Sequence, residues 1–233
     1  MTAVDTRAAR AAFLLKRRAR RLAFAAVLLP LVFDAPSAHA DAPPDESTSP
    51  TFGLSFAIAR ENGERIVDDA WIHAQIEDAN HFFAPLGTKV RWLLEKELAA
   101  PHGEMHSRAD RHALTPLMER GVIDVFVVRE LEDVDEPGRR RMGVCWTGKW
   151  GGLQGQRFII LSRTARRGVL AHELGHFFGN HQHSTVVNNL MSYSRDGGTV
   201  FLDDRQIATI RSLSSTFLST KRLIDVGPPL RLL

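Results

Sequence analysis

The chain has 233 residues, 44% apolar and 24% charged with a formal net charge of +3, and its length beyond the first forty residues suits one ordinary domain. Residues 1–40 hold seven of the basic residues and two of the acids, leaving 23 basic against 25 acidic residues beyond them, so the basic balance gives no warrant for a nucleic-acid partner. Cys145 is the only cysteine, which excludes an intrachain disulfide.

In chain order, Lys16, Arg17, Arg18, Arg20 and Arg21 precede an apolar run from Leu22 to Phe33 that closes on Ala38-His39-Ala40. This is the layout of a cleavable signal peptide over residues 1–40 and predicts an exported protein, secreted or periplasmic. The apolar run falls short of the roughly 20 residues of a membrane span, so no membrane contact is expected after cleavage. Arg20-Arg21 leaves a twin-arginine route open beside general secretion. Residues 41–50 contain three prolines and no apolar period, as a flexible leader would, and the folded domain is expected over 51–233.

From Thr51, the alternation Phe52, Leu54, Phe56, Ile58 predicts a strand. Ile66 to Phe83 reads as a helix with Val67, Ala70, Trp71, Ala74, Ile76 and Phe82 among its apolar positions, and Lys89 to Leu94 as a second strand. Pro101 to Arg111 reads as a connection and Ala113 to Arg120 as a short helix with Pro116 in its first turn. Gly121 to Val128 is a β-branched and aromatic run of the kind found in buried strands, and Met142 to Trp146 and Arg157 to Leu161 read as two more strands around a Gly-rich turn, Gly148 to Gly155. A helix from Ala165 to Phe178 places Leu170, Leu174, Phe177 and Phe178 on one face, and a last helix from Leu202 to Leu218 carries Ile207, Ile210, Leu213 and Phe217. This order of elements predicts an α/β sandwich on one mixed sheet.

The chemistry is concentrated in Ala171-His172-Glu173-Leu174-Gly175-His176-Phe177-Phe178-Gly179-Asn180-His181-Gln182-His183. Four residues of helix turn through about 400°, so His172 and His176 project from one side, one turn apart, and can hold a single zinc ion. Glu173 lies beside them, where its carboxylate can take a proton from a zinc-bound water. The plain alternative is a pair of histidines on an amphipathic helix.

These residues resemble the metzincin zinc metallopeptidases, whose pattern is H-E-x-x-H-x-x-G-x-x-H followed by a methionine turn. His172, Glu173, His176 and Gly179 match position by position, and Gly179 suits a chain that must leave the helix with positive φ. The pattern's third histidine is displaced: Gln182 stands in its place, flanked by His181 and His183. His183 is preferred as the third ligand because the eight positions from it to Met191 are similar to the matrixin spacing, with His181 as the alternative and with Gln182 or no third protein ligand left open. Asn189-Leu190-Met191-Ser192-Tyr193 resembles the methionine turn, and the resemblance implies that Met191 floors the site and that Tyr193 can approach the metal or an oxyanion. A tyrosine packed under the site is the alternative role.

The resemblance further implies a mixed, mostly parallel sheet with an active-site helix and a C-terminal helix, a Zn2+ cofactor, and a peptide or protein substrate laid along an edge strand, for which Met142 to Trp146 is the candidate. The expected activity is endopeptidase hydrolysis with Glu173 as general base, in a matrixin- or reprolysin-like enzyme. A degenerate member of the fold that binds peptides without cutting them is the alternative, and a zinc enzyme acting on other amide bonds is a third. His73 and His81 read as ordinary surface residues, His102, His106 and His112 as a remote candidate for a second metal site, and Cys145 as a small buried hydrophobe rather than a zinc cap.

Overall fold

The computed structural model describes residues 49–149 and 155–227. The expected signal peptide, the leader up to residue 48 and most of the Gly-rich turn therefore lie outside the described residues. Among the described residues no helix is long and apolar enough to cross a membrane.

The domain is organised by β1 (Thr51–Glu61), whose first nine residues are all buried. The strand is flanked in parallel by β3 (Lys89–Leu98) on one side and β5 (Ile123–Val128) on the other. Next to β5 runs β8 (Arg157–Ser162), also parallel, and then β7 (Gly143–Thr147), antiparallel, which ends the sheet. The two-residue strand β2 (Glu64–Arg65) folds back on the end of β1, while β4 (Glu104–Met105) and β6 (Glu130–Leu131) form a separate pair. The α/β class expected from the order of elements is the one observed, with a mostly parallel sheet.

Burial of both faces explains the apolar runs. Alternate residues Phe52, Leu54, Phe56, Val125, Val127, Ile159 and Leu161 join one core with the helices α1 (Asp69–Phe83), α3 (Val169–Phe177) and α4 (Asp204–Ser219). The intervening Ala57, Ala59, Phe126, Val128, Phe158 and Ile160 face a second, smaller core beneath Met105, Leu114 and Leu131. β1 and β3 shift register at Leu54/Ser55, where Leu93 is the extra residue, and Gly53 leaves it room: a Cβ there would lie 2.5 Å from Leu93 Cδ2.

Several expected boundaries move, each for a local reason. Ile66 N–H bonds back to Ala59 in the hairpin, so α1 starts only after Asp68, whose carboxylate caps Trp71 N–H. Its buried stripe is Ile72, Gln75, Ile76, Ala79 and Phe83, and Ala70, expected on the apolar face, is exposed. The short helix lies earlier than expected: α2 spans Arg108–Ala113, set by a capping box between Ser107 and Asp110 inside the supposed connection. Pro116 instead opens a single 3-10 turn, Thr115–Leu117. α3 begins at Val169 rather than Ala165 because Gly168, at φ 81°, reverses the chain just before it. The C-terminal segment straps the sheet, with Ile224 N–H on Gly121 O at 3.0 Å and Val226 N–H on Thr51 O at 2.9 Å.

α4 is entered through a second capping box, Asp203 with Gln206. Asp203→Ala removes the acceptor for Gln206 N–H and should lower stability by about 1 kcal/mol in a urea titration. Asp203→Asn should retain most of it.

Candidate metal centre

α3 crosses beside β7 and β8 with Leu170, Leu174, Phe177 and Phe178 buried against the sheet, which turns His176 toward the cleft with His172 one turn before it. The helix N-terminus has no capping side chain of its own. The buried Gln75 of α1 serves instead, its Oε1 accepting Leu170 N–H at 3.0 Å and its Nε2 donating to Arg166 O at 2.9 Å. At the other end Gly179, at φ +101°, swings the chain away, and a Cβ there would stand 2.5 Å from Leu213 Cδ1 of α4.

The chain then returns so that three imidazoles converge. His176 Nε2 lies 3.1 Å from His172 Nε2 and 3.1 Å from His183 Nε2, and the ligand atoms of the three all fall within 4.8 Å. Tetrahedral zinc with Zn–N bonds of 2.0–2.1 Å would hold its nitrogens roughly 3.3 Å apart, so the donor set and its spacing fit that ion. His181 is not part of the group. Its Nε2 accepts from Arg157 Nη2 at 3.2 Å.

Backbone carbonyls fix the rings. His172 Nδ1 donates to Leu190 O at 2.7 Å and His176 Nδ1 to Asn180 O at 2.6 Å, which leaves both Nε2 lone pairs facing the centre. Burial lowers the His172 pKa to about 4, opposed by its bond to Leu190; burial and then neighbouring His172 bring His176 to about 3. His183 is lowered too, by burial and then by Arg141. Neutral imidazole is the form that binds a metal.

Met191 is fully buried beneath α3. Gly175 is what admits it, because a Cβ there would lie 2.3 Å from Met191 Sδ. Asn189 anchors the turn: its Oδ1 accepts Met191 N–H at 2.9 Å and Gln206 Nε2 at 3.0 Å, and its Nδ2 donates to Gln206 Oε1 at 2.9 Å. Arg195 Nη1 ties the carbonyls of Asn189 and Ser192 at 3.0 and 2.7 Å.

Glu173 lies on the β7 side, buried and lining the same cavity of about 260 Å³ as His176 and His183. Burial pushes its carboxyl up to about 8, opposed first by a hydrogen bond from Cys145 N–H and then by Arg141 and Arg111. Positive charge held at the histidines would favour its ionised form. Gly143 makes the approach of β7 possible: a Cβ would stand 2.7 Å from Val169 Cγ1 and 2.9 Å from Glu173 Oε1. Tyr193 is 62% exposed, its ring centroid 4.3 Å from that of His183, and its hydroxyl accepts Arg141 Nη1 at 3.0 Å. Arg141 is itself held by the buried Asp133 at 2.6 Å.

Comparisons with known proteins bear on the fold. No family model and no curated protein matches the chain. Among solved structures, metalloproteinase-II from Bacteroides fragilis aligns with a TM-score of 0.53 at 12% identity over 73% of this chain and 55% of that one. The two share a fold. This chain thus spans little more than half the length of that protein. Archaemetzincins from Methanopyrus kandleri and Archaeoglobus fulgidus also align, at 16% and 14% identity with TM-scores of 0.45 and 0.40, over 74% and 69% of this chain and 99% of each of theirs.

Among the described residues the other histidines do not gather into a metal group. His106 sits between Glu132 at 3.1 Å and Glu104 at 3.3 Å, and His112 Nδ1 accepts Trp146 Nε1 at 3.1 Å. His73 lies edge-on to Trp92. Cys145 packs against the main core, and burial raises its thiol pKa. The sequence reading passed over Gly143, Gly175, Gln75, Arg141 and Arg195. A glycine inside a strand or helix pattern is a signal of close approach that was available for the first two; the others depend on contacts between distant segments.

His183→Ala deletes one of the three converging nitrogens and should strongly lower zinc per mole of protein measured by elemental analysis. His181→Ala should leave it nearly unchanged, and the reverse ranking would overturn the ligand set.

Proposed function

We propose that the protein is an exported zinc-dependent endopeptidase, with His172, His176 and His183 as metal ligands and Glu173 as general base. The observation that carries this reading is the buried carboxylate of Glu173 in one cavity with His176 and His183, two of the three histidines whose ligand atoms lie within 4.8 Å of one another. A purely structural zinc site has closed coordination and no use for such a carboxylate beside it. The fold shared with a protein described as a metalloproteinase supports the reading. The eight positions from His183 to Met191 favour a matrixin-like arrangement within that class, and the basic-then-apolar residues 1–33 support export.

A zinc ion at this site supplies Lewis acidity, polarising a carbonyl and lowering the pKa of water. The chain's own residues do the rest. Among the described residues β7 pairs only with β8, and its register, bracketed by Ser162 N–H on Met142 O at 2.9 Å and Gly148 N–H on Gln156 O at 2.7 Å, turns the backbone groups of Gly143, Cys145 and Thr147 outward. An extended peptide can pair with that open edge and bring its carbonyl beside Glu173. Cys145 N–H spends itself on Glu173 and fixes the carboxylate, which accepts a proton from the attacking water and returns it to the leaving amine. Tyr193 accepts from Arg141, which leaves its own O–H free to donate to the oxyanion.

Glu173→Gln keeps size and hydrogen bonding but removes the base. Turnover of a susceptible peptide should fall by ~10²–10⁴-fold while zinc content and peptide binding persist. A chelator should abolish native activity and added zinc restore it. Native turnover by the variant would refute the mechanism; a zinc-loaded native protein that binds but cleaves no member of a broad peptide library would establish the non-catalytic alternative.

A further inference from the structure

The cations that line the cleft differ in their partners. Arg111 and Arg141 share the lining with Asp133 and Asp135, and Arg141 forms an ion pair with Asp133 at 2.6 Å. At the Thr147 end stands Arg157, opposite Thr147 in the register of β7 and β8. Its Nη1 donates to Phe177 O at 2.5 Å and its Nη2 to His181 Nε2 at 3.2 Å, and both partners are uncharged. Among the described residues no carboxylate pairs with Arg157, and the acids lining the cavity are Asp133, Asp135 and the central Glu173. A guanidinium offers five N–H donors, so these two contacts leave others for a ligand. A half-buried cation so placed is undersatisfied and favours an incoming carboxylate.

Strand polarity says where that carboxylate belongs. A peptide added antiparallel to β7 runs from its Thr147 end toward its Gly143 end, and the bond to be broken lies beside Glu173, near Gly143 and Cys145. Residues N-terminal to that bond therefore pass Arg157. Resting on the peptidase reading above, we infer that Arg157 selects substrates bearing an Asp or Glu side chain on the N-terminal side of the cleaved bond.

The zinc-loaded protein is assayed with fluorogenic peptides that differ only in Glu, Gln or Lys at the three positions before the cleaved bond. The native enzyme should prefer Glu over Gln in kcat/KM by roughly fivefold at its best position, the order expected of one partly screened ion pair. Arg157→Gln should bring that ratio to about one, Arg157→Glu should invert it in favour of Lys, and Arg157→Lys should keep a preference for Glu. If Arg157 only caps the end of α3 through Phe177 O, its replacement would slow all three peptides alike and leave the ratios unchanged, which overturns the inference. Absence of an acidic preference in the native enzyme overturns it equally. Should no peptide be cleaved, the affinities of labelled Glu and Gln peptides are compared by fluorescence anisotropy in the native protein and in Arg157→Glu. A Glu preference that follows the charge at 157 upholds acid recognition while setting hydrolysis aside, and equal affinities overturn it.

Discussion

His176 Nε2 stands 3.1 Å from the Nε2 atoms of both His172 and His183, and this convergence is the constraint on which the surrounding architecture depends. Three cationic imidazoles could not share that volume. Burial favours the neutral forms of His172 and His176, and the carbonyls of Leu190 and Asn180 accept their Nδ1–H groups so that both Nε2 lone pairs face inward. The same two carbonyls belong to the segments that follow α3, so the rings are oriented by the very chain that delivers His183. Ring tautomer, helix end and return loop are therefore one problem solved together.

Two glycines let backbone approach where any other side chain would collide. Gly175 opens the underside of α3 to Met191, and Gly179 both adopts positive φ and lets Leu213 of α4 close against the turn. Below them the reciprocal amide pair of Asn189 and Gln206 joins the methionine turn to the first turn of α4. Gln206 also completes the capping box with Asp203, so the start of α4 and the floor of the site share one side chain. Such coupling predicts non-additive effects for changes at these positions.

On the opposite side the edge strand governs Glu173. Gly143 gives the carboxylate space and Cys145 N–H gives it a fixed partner, while the rest of the edge is left unpaired. Trp146 packs against Arg111, whose guanidinium lies 4.8 Å from its ring, and donates Nε1–H to His112. Preorganised backbone groups next to a poised carboxylate are what a hydrolytic site needs, because nothing must reorganise when charge develops.

What the sequence by itself determined is what a short-range period can carry. The pairing of His172 with His176 and the position of Glu173 follow from 3.6 residues per turn, and the buried strands follow from their apolar runs. The start of α2 is also written locally, in the capping box of Ser107 with Asp110, although the polar residues around it resemble those of a connection. Only the tertiary structure decided that His183 joins the pair while His181 turns to Arg157, since a one-residue difference in a loop without periodicity leaves both directions open. It likewise decided that Gln75, ninety-five residues before Leu170, caps the helix that carries the site. That Gly143 to Thr147 is an edge, and that Arg157 stands opposite Thr147, depends on sheet order and on partners far apart in the chain, where no local propensity reaches.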